Sequence, residues 1–330
     1  MTTVADAAPA KAGRRFDFAS VIQHFATLAI FLVLVVAASF WSDAFLSRIN
    51  ILNVLRQVAA GAGIMAVGML FVILTRGIDL SVGSIAALGS VLTAHFIHFM
   101  GYGQTASIVF VILAGMGCGL VTGVFVAYLK LPSFVMSLAM LAIARGLSLI
   151  ISDGRPIPLG TEGAAISGFG SGFAFGLPLP VWLMFAVFLV GGIVLNFTRF
   201  GRIVKAIGSN EEAVRLSGIA VPRYILTVYI VSGALAAIAG IISTARTGVG
   251  SAQVGVGAEL NVIAAVVIGG ASLMGGRGGV INTLLGALIM GIIANIMNLG
   301  GVPGYHQQVY MGVIIVIAML LQYGTGRLKL

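Results

Sequence analysis

The sequence predicts an all-α integral membrane protein of about ten transmembrane helices, with both termini in the cytoplasm. Composition is the first reason. Of the 330 residues, 59% are hydrophobic and 8% are charged, whereas a soluble domain carries roughly 25% charged residues. So few charges cannot cover a soluble protein of this size. The length of the apolar runs is the second reason, because a bilayer core needs about 20 residues of helix. The third is a one-sided distribution of Lys and Arg between alternate loops.

The apolar runs cover 24–41, 57–74, 84–101, 107–129, 133–151, 181–198, 224–243, 260–274, 280–300 and 305–323. Arg145 is the only formal charge within them. The runs 57–74 and 260–274 are short, and each ends in a Gly-rich polar segment. With the N-terminus inside and the runs alternating, thirteen Lys and Arg fall on the cytoplasmic side. Four fall outside: Arg48, Arg56, Arg155 and Arg246. The opposite orientation would violate the positive-inside rule. Residues 1–23 then form a cytoplasmic tail, 24–325 a single transmembrane domain and 326–330 a second tail. Lys11, Arg14 and Arg15 also fit the basic start of a signal peptide. The run that follows exceeds the usual signal-peptide apolar region of roughly 7–15 residues, so it reads as a retained helix. The loop 152–180 lies outside and is expected to form a short packed cap.

Composition also narrows function. The net charge of +9 follows from basic cytoplasmic loops and does not require nucleic acid. Cys118 is the single cysteine, so no intramolecular disulfide can form and no Cys/His metal spacing exists. His95 and His98 lack a third ligand, and no metal is expected. The chain has no GxxxxGK[ST], HExxH or GxSxG, so neither ATP hydrolysis nor another intramembrane enzyme activity is expected of it. Gly115, Gly119 and Gly123 share one helix face and predict close helix packing, within one chain or between two.

Three segments carry candidate mechanism. In 75–84, Asp79 lies between two glycines and two apolar runs. A carboxylate there faces protein or water rather than lipid. It either caps the helix that begins near Ser81 or, with Ser81, contacts the transported solute. In 268–279, six glycines in twelve residues predict a break near the cytoplasmic surface, since each costs about 1 kcal/mol in a helix. Paired interruptions of this kind point to the pathway in transporters with internal repeats. In 199–223, Ser209 and Asn210 are capping residues, Glu211 and Glu212 occupy a first turn, and Arg215 lies four residues after Glu211. Gly218 ends the segment. A short exposed helix at about 210–217 is predicted, either a solvated loop helix or a docking helix. The amides Asn261, Asn282, Asn295 and Asn298 lie on apolar helices. They are candidates to bond a polar solute or to bond between helices. Arg145 is expected to snorkel or to pair inside the bundle.

The string Gly77-Ile78-Asp79-Leu80-Ser81-Val82-Gly83-Ser84, the loop 208–219 and the Gly-rich stretch 269–279 together resemble the permease subunits of ribose-type sugar ABC importers. The resemblance covers about residues 20–325. It implies a multi-pass subunit of the bacterial inner membrane, surrounded by lipid, that moves a monosaccharide or related polyol. It implies an ABC ATPase partner that holds the ATP and Mg, so that the permease needs no cofactor. It also implies a periplasmic sugar-binding protein and a second permease copy. By carry-over, Asn210, Glu211, Glu212, Arg215 and Gly218 belong to the helix that docks on the ATPase. Asp79, Ser81, Asn261, Asn282, Asn295 and Asn298 are the pathway or gate candidates. The alternative is an ion-coupled secondary transporter of a small polar solute, with Asp79 as its intramembrane carboxylate.

Overall fold

The computed structural model describes residues 18–327. Parts of both expected tails, with Lys11, Arg14, Arg15 and Lys329, lie outside the described residues. Each of the ten apolar runs contains a helix. In chain order the helices are α1 (Phe18–Trp41), α2 (Arg48–Leu74), α3 (Val82–His98), α4 (Gln104–Ala127) and α5 (Ser133–Ser152). The short α6 (Ala164–Ser171) precedes α7 (Leu179–Phe197), α8 (Arg199–Ser209) and α9 (Glu211–Leu216). Next come α10 (Val221–Thr247), α11 (Ala258–Ile268), α12 (Val280–Leu299) and α13 (Gly304–Arg327). Six of these, α2, α4, α5, α7, α10 and α12, are long and apolar enough to cross a membrane. The shorter α3 and α11 are apolar as well.

The sequence misjudged α2. Its apolar run begins at Gln57, yet the helix is continuous from Arg48 for 27 residues. Arg56 is tolerated within it because its guanidinium donates to Ser171 O (3.0 Å) and lies over the Phe173 ring. Inside α2, Ala59–Gly63 form a π-helical turn in which Gly61 leaves helical geometry (φ −110°, ψ −119°). The second short run was set too long: α11 stops at Ile268, and 269–279 are non-helical.

A packed cap forms at 152–180, as expected. It consists of α6, the strand β1 (Ile157–Pro158) paired antiparallel with β4 (Val249–Gly250), and the hairpin β2 (Phe173–Ala174) with β3 (Leu177–Pro178). A small apolar cluster under the cap joins Val91, Ala94 and Ile97 to Ile157, Leu159 and Ile166.

Helix α10 is the hub, packed against α2, α3 and α4. Apolar burial alone cannot hold helices together in lipid, so close packing must. Glycines provide it. A Cβ at Gly119 would overlap the Tyr229 carbonyl, one at Gly115 the Gly233 carbonyl, and one at Gly240 the Ala86 carbonyl. Gly68 and Gly89 meet the α10 backbone at Ser232 and Ala237 in the same way. The Gly115–Gly119–Gly123 face therefore serves contact within the chain. Burial follows this arrangement: 78% of the most apolar window of α2 is enclosed, against 22% for α5, which remains on the periphery.

Gly119→Val is expected to cost at least the ~1–3 kcal/mol typical of overpacking, because backbone atoms cannot yield as a side chain can. Gly117→Val, which meets nothing within 4 Å, should be close to neutral. Thermal melting of the two purified variants in detergent checks the contrast; equal melting would contradict the packing argument.

Candidate functional site

Three groups of residues converge around α10. The first lies at the face carrying α8 and α9. Thr198 Oγ1 accepts from Gly201 N (3.3 Å) and starts α8. Ile203, Val204 and Ile207 are its buried face, while Arg199, Arg202 and Lys205 lie elsewhere on it. Asn210 Oδ1 accepts from Ala213 N (3.0 Å) and starts α9, as its residue type predicts. Gly218 ends α9 at φ +76°. The helix predicted at about 210–217 is α9, and an additional helix, α8, precedes it and meets it at Asn210. Ser209 is no cap: it ends α8 and donates its hydroxyl to Lys205 O (3.0 Å). The ion pairs also differ from the expected Glu211–Arg215 spacing. Arg215 bonds Glu212 with both Nε (3.1 Å) and an Nη (2.6 Å), while Glu211 turns to Lys130, beyond the end of α4, at 2.8 Å. The Arg215 hydrogen bond holds the Glu212 carboxyl below its ordinary pKa. Such exposed pairs add little stability. What they do fix is the charged surface that α9 presents.

The second group is the break after α2. Asp79 is buried, 1% exposed. Its Oδ1 accepts from Ser81 N (3.0 Å) and Ser81 Oγ (2.5 Å), and its Oδ2 accepts from Ser232 Oγ (2.7 Å) on α10. The segment is pinned further by α5, where Ser133 Oγ accepts from Ile78 N (3.1 Å) and Ser137 Oγ donates to Ile78 O (3.2 Å). Gly68, beside Ser232, lies six residues before the end of α2, about 9 Å at 1.5 Å per residue. Asp79 is therefore well inside the bundle, enclosed by protein as expected of a carboxylate that avoids lipid. Ser81 is buried with it.

The third group lines a cavity of about 240 Å³ between α2, α3, α10 and α11, formed in part by Gln57, Gly61, Ser243, Arg246 and Asn261. Ala60 and Gly61 of the irregular turn of α2 form part of its wall. Turns of this type occur frequently at functional sites because they expose backbone groups that a regular helix would bond. Only Asn261 of these was singled out from sequence. Gln57, Ser243 and Arg246 lie at the edges of their apolar runs, where polar residues are ordinary and carry no signal.

The other amides separate by environment. Asn295 exchanges two hydrogen bonds with Asn50 (2.9 and 2.8 Å), clipping α12 to α2. Asn282 is buried at the start of α12 beside Gly269. Asn298 is exposed and accepts from Gln307 Nε2 (2.8 Å). Arg145 donates to the carbonyls of Ala252 and Val254, tying α5 to the loop before α11. Among the described residues no cluster of His, Cys, Asp and Glu could hold a metal.

Residues 50–319 match the family described as "Branched-chain amino acid transport system / permease component". The chain is 42% identical to the ribose import permease RbsC of Escherichia coli K12 over 311 residues, covering 94% of this chain and 96% of the relative. It is 42% identical to the Bacillus subtilis RbsC, covering 93% and 95%. It is 37% identical to the L-arabinose permease AraH of E. coli K12, covering 92% of each. The chain belongs to this RbsC/AraH permease family. No solved structure matches it. The permease is thus a multi-pass membrane subunit, not catalytic itself, and its family works without a cofactor of its own.

The saturation of Asp79 by neutral donors makes a sharp prediction. Asp79→Asn keeps an acceptor for Ser81 and offers Ser232 an NH₂ that its hydroxyl can accept, so folding and transport should persist. Asp79→Leu leaves buried donors unpaired, about 1–3 kcal/mol each, and should lose folded protein. Transport assays on both variants check this: abolition by Asp79→Asn in a folded permease would mark an ion-coupling carboxylate instead.

Asn295→Ala should cost about 1 kcal/mol in the membrane and less when Asn50→Ala is already present. A double-mutant cycle in detergent melting measures the coupling; strict additivity would refute the clip.

Proposed function

We propose that this chain is the membrane-spanning subunit of an ABC importer that carries a monosaccharide or related polyol into the bacterial cell. The observation that carries the mechanism is the capped helix pair α8–α9, which presents Glu211, Glu212 and Arg215 at the face where both helix breaks end. A separate ATPase subunit receives α9, and Asn210 and Gly218 define its two ends. ATP binding in that partner moves α9 and, through it, the bundle. A periplasmic binding protein delivers the sugar at the opposite face, where α6 and the β hairpins form the cap. Two copies of the permease enclose one pathway, and both termini are cytoplasmic, in keeping with the Lys and Arg distribution.

The cavity lined by Gln57, Ser243, Arg246 and Asn261 is the proposed sugar path in the outer half of the bundle. Amides, which donate and accept, and a guanidinium, which only donates, together match hydroxyl-rich solutes. Asn282, Asn295 and Asn298 act between helices in this reading, and Asp79 with Ser81 acts as a brace beneath the path. The similarity to the ribose and arabinose permeases over most of the chain supports a pentose among the candidate sugars.

The test is purification of tagged permease in mild detergent with identification of every co-purifying protein. An ATPase and a sugar-binding protein are expected; permease that comes alone and transports without ATP would overturn the reading. Gly218→Leu, strained at φ +76°, and Glu212→Lys, which replaces the Arg215 pair with repulsion, should leave the permease inserted. Both should detach or uncouple the ATPase at least tenfold. Normal ATPase binding and uptake in both variants would reject α9 as the docking helix.

A further inference from the structure

The end of α8, the end of α2 and the Gly-rich break before α12 meet at a single point. Gly276 N donates to Leu74 O (3.0 Å), joining the second break to the last turn of α2. A Cβ on Gly208 would overlap both Leu74 O and Gly276 N, so α8 reaches this junction only through a glycine. Gly275 and Gly276 hold φ values of +80° and +74° against Gly208 and Ser209.

Arg76 closes this junction. It is a non-glycine residue at φ +65°, a conformation that persists only where the surroundings impose it. From there its Nε donates to Gly208 O (2.7 Å) and Met274 O (3.0 Å), and an Nη donates to Ser209 O (3.0 Å). Gly208 and Ser209 carry the last carbonyls of α8, which have no partner within the helix. A cation is favoured at that end. A planar guanidinium can hold three carbonyls on two segments at once, which a lysine ammonium cannot match in geometry. No carboxylate takes part, so the contact is not a charge pair that pH or salt would open easily.

We infer that Arg76 is a positioning residue that makes α8, the end of α2 and the 269–279 break move as one rigid body, so that displacement of α9 by the ATPase reaches the bundle. This inference rests on the ABC importer reading and deepens it. Arg76 lies between α9 and the buried brace of Asp79, three residues along the same segment. Motion at Arg76 therefore pulls on Ser81, on the start of α3 and on Ser232 of α10.

The experiment uses the complete importer in proteoliposomes, with its ATPase and binding protein. The readout is sugar taken up per ATP hydrolysed, with ribose or arabinose as probe, whichever the binding protein retains. Arg76→Gln is expected to keep the ATPase bound and hydrolysing, while the uptake ratio falls at least tenfold. Arg76→Lys should recover part of it.

An unchanged ratio in Arg76→Gln overturns the inference. So does parallel loss of bound ATPase, which would make Arg76 a docking residue. If Arg76→Gln does not fold, Arg76→Lys decides: a fallen ratio with the ATPase still bound supports the joint, and an unchanged ratio rejects it. Absence of the ATPase from the unsubstituted permease would reject the importer reading itself, a separate result.

Discussion

Backbone-to-backbone contact along α10 is the constraint on which the rest of the molecule depends. Lipid removes the usual advantage of burying apolar side chains, so helices associate through dispersion at short range and through hydrogen bonds. Glycines at 68, 89, 115 and 119 bring α2, α3 and α4 against α10, and Gly233 and Gly240 answer from α10 itself. Once α10 is fixed, Ser232 stands beside Asp79, Ser243 and Arg246 face α11, and Tyr229 is fully enclosed. The polar features of the bundle are hung on a helix whose own placement is set by the absence of side chains.

Two interruptions of helical structure use that frame differently. The break after α2 turns inward and ends on a carboxylate satisfied by three neutral donors. The break before α12 turns toward α8 and is built from glycines that admit another backbone. Leu74, Arg76, Gly208 and Gly276 join the two, so the exposed helices and the buried brace belong to one connected unit. For a permease driven from outside the membrane, such a connection matters more than any single contact energy. Interfaces packed this tightly shift between discrete arrangements rather than deform gradually.

Much of the candidate site was legible in the sequence where local chemistry specifies it. Asn210 caps α9 and Gly218 ends it because those roles depend on a residue's own side chain and φ. Asp79 reads as buried and polar because lipid excludes a carboxylate. Other parts were not legible. Arg56 looked like the edge of a span until Ser171 and Phe173 arrived from 115 or more residues away to receive it. The amphipathic α8 left a signal in the spacing of Ile203, Val204 and Ile207, but its charges masked it. Asn261 and Asn295 look alike in sequence, yet one lines a cavity and the other is bonded to Asn50.

By itself the sequence determined the membrane class, the ten apolar runs, the two Gly-rich breaks and the capped exposed helix. Each of these follows from hydropathy, backbone permissiveness or local hydrogen bonding, which act over a few neighbouring residues. Only the tertiary structure decided that the breaks meet, that Arg76 reaches three carbonyls on distant segments, and that Asp79 lies deep and hydrogen-bonded by Ser81 and Ser232. Those outcomes depend on which helix faces which, and that is set by glycine contacts between residues more than a hundred positions apart.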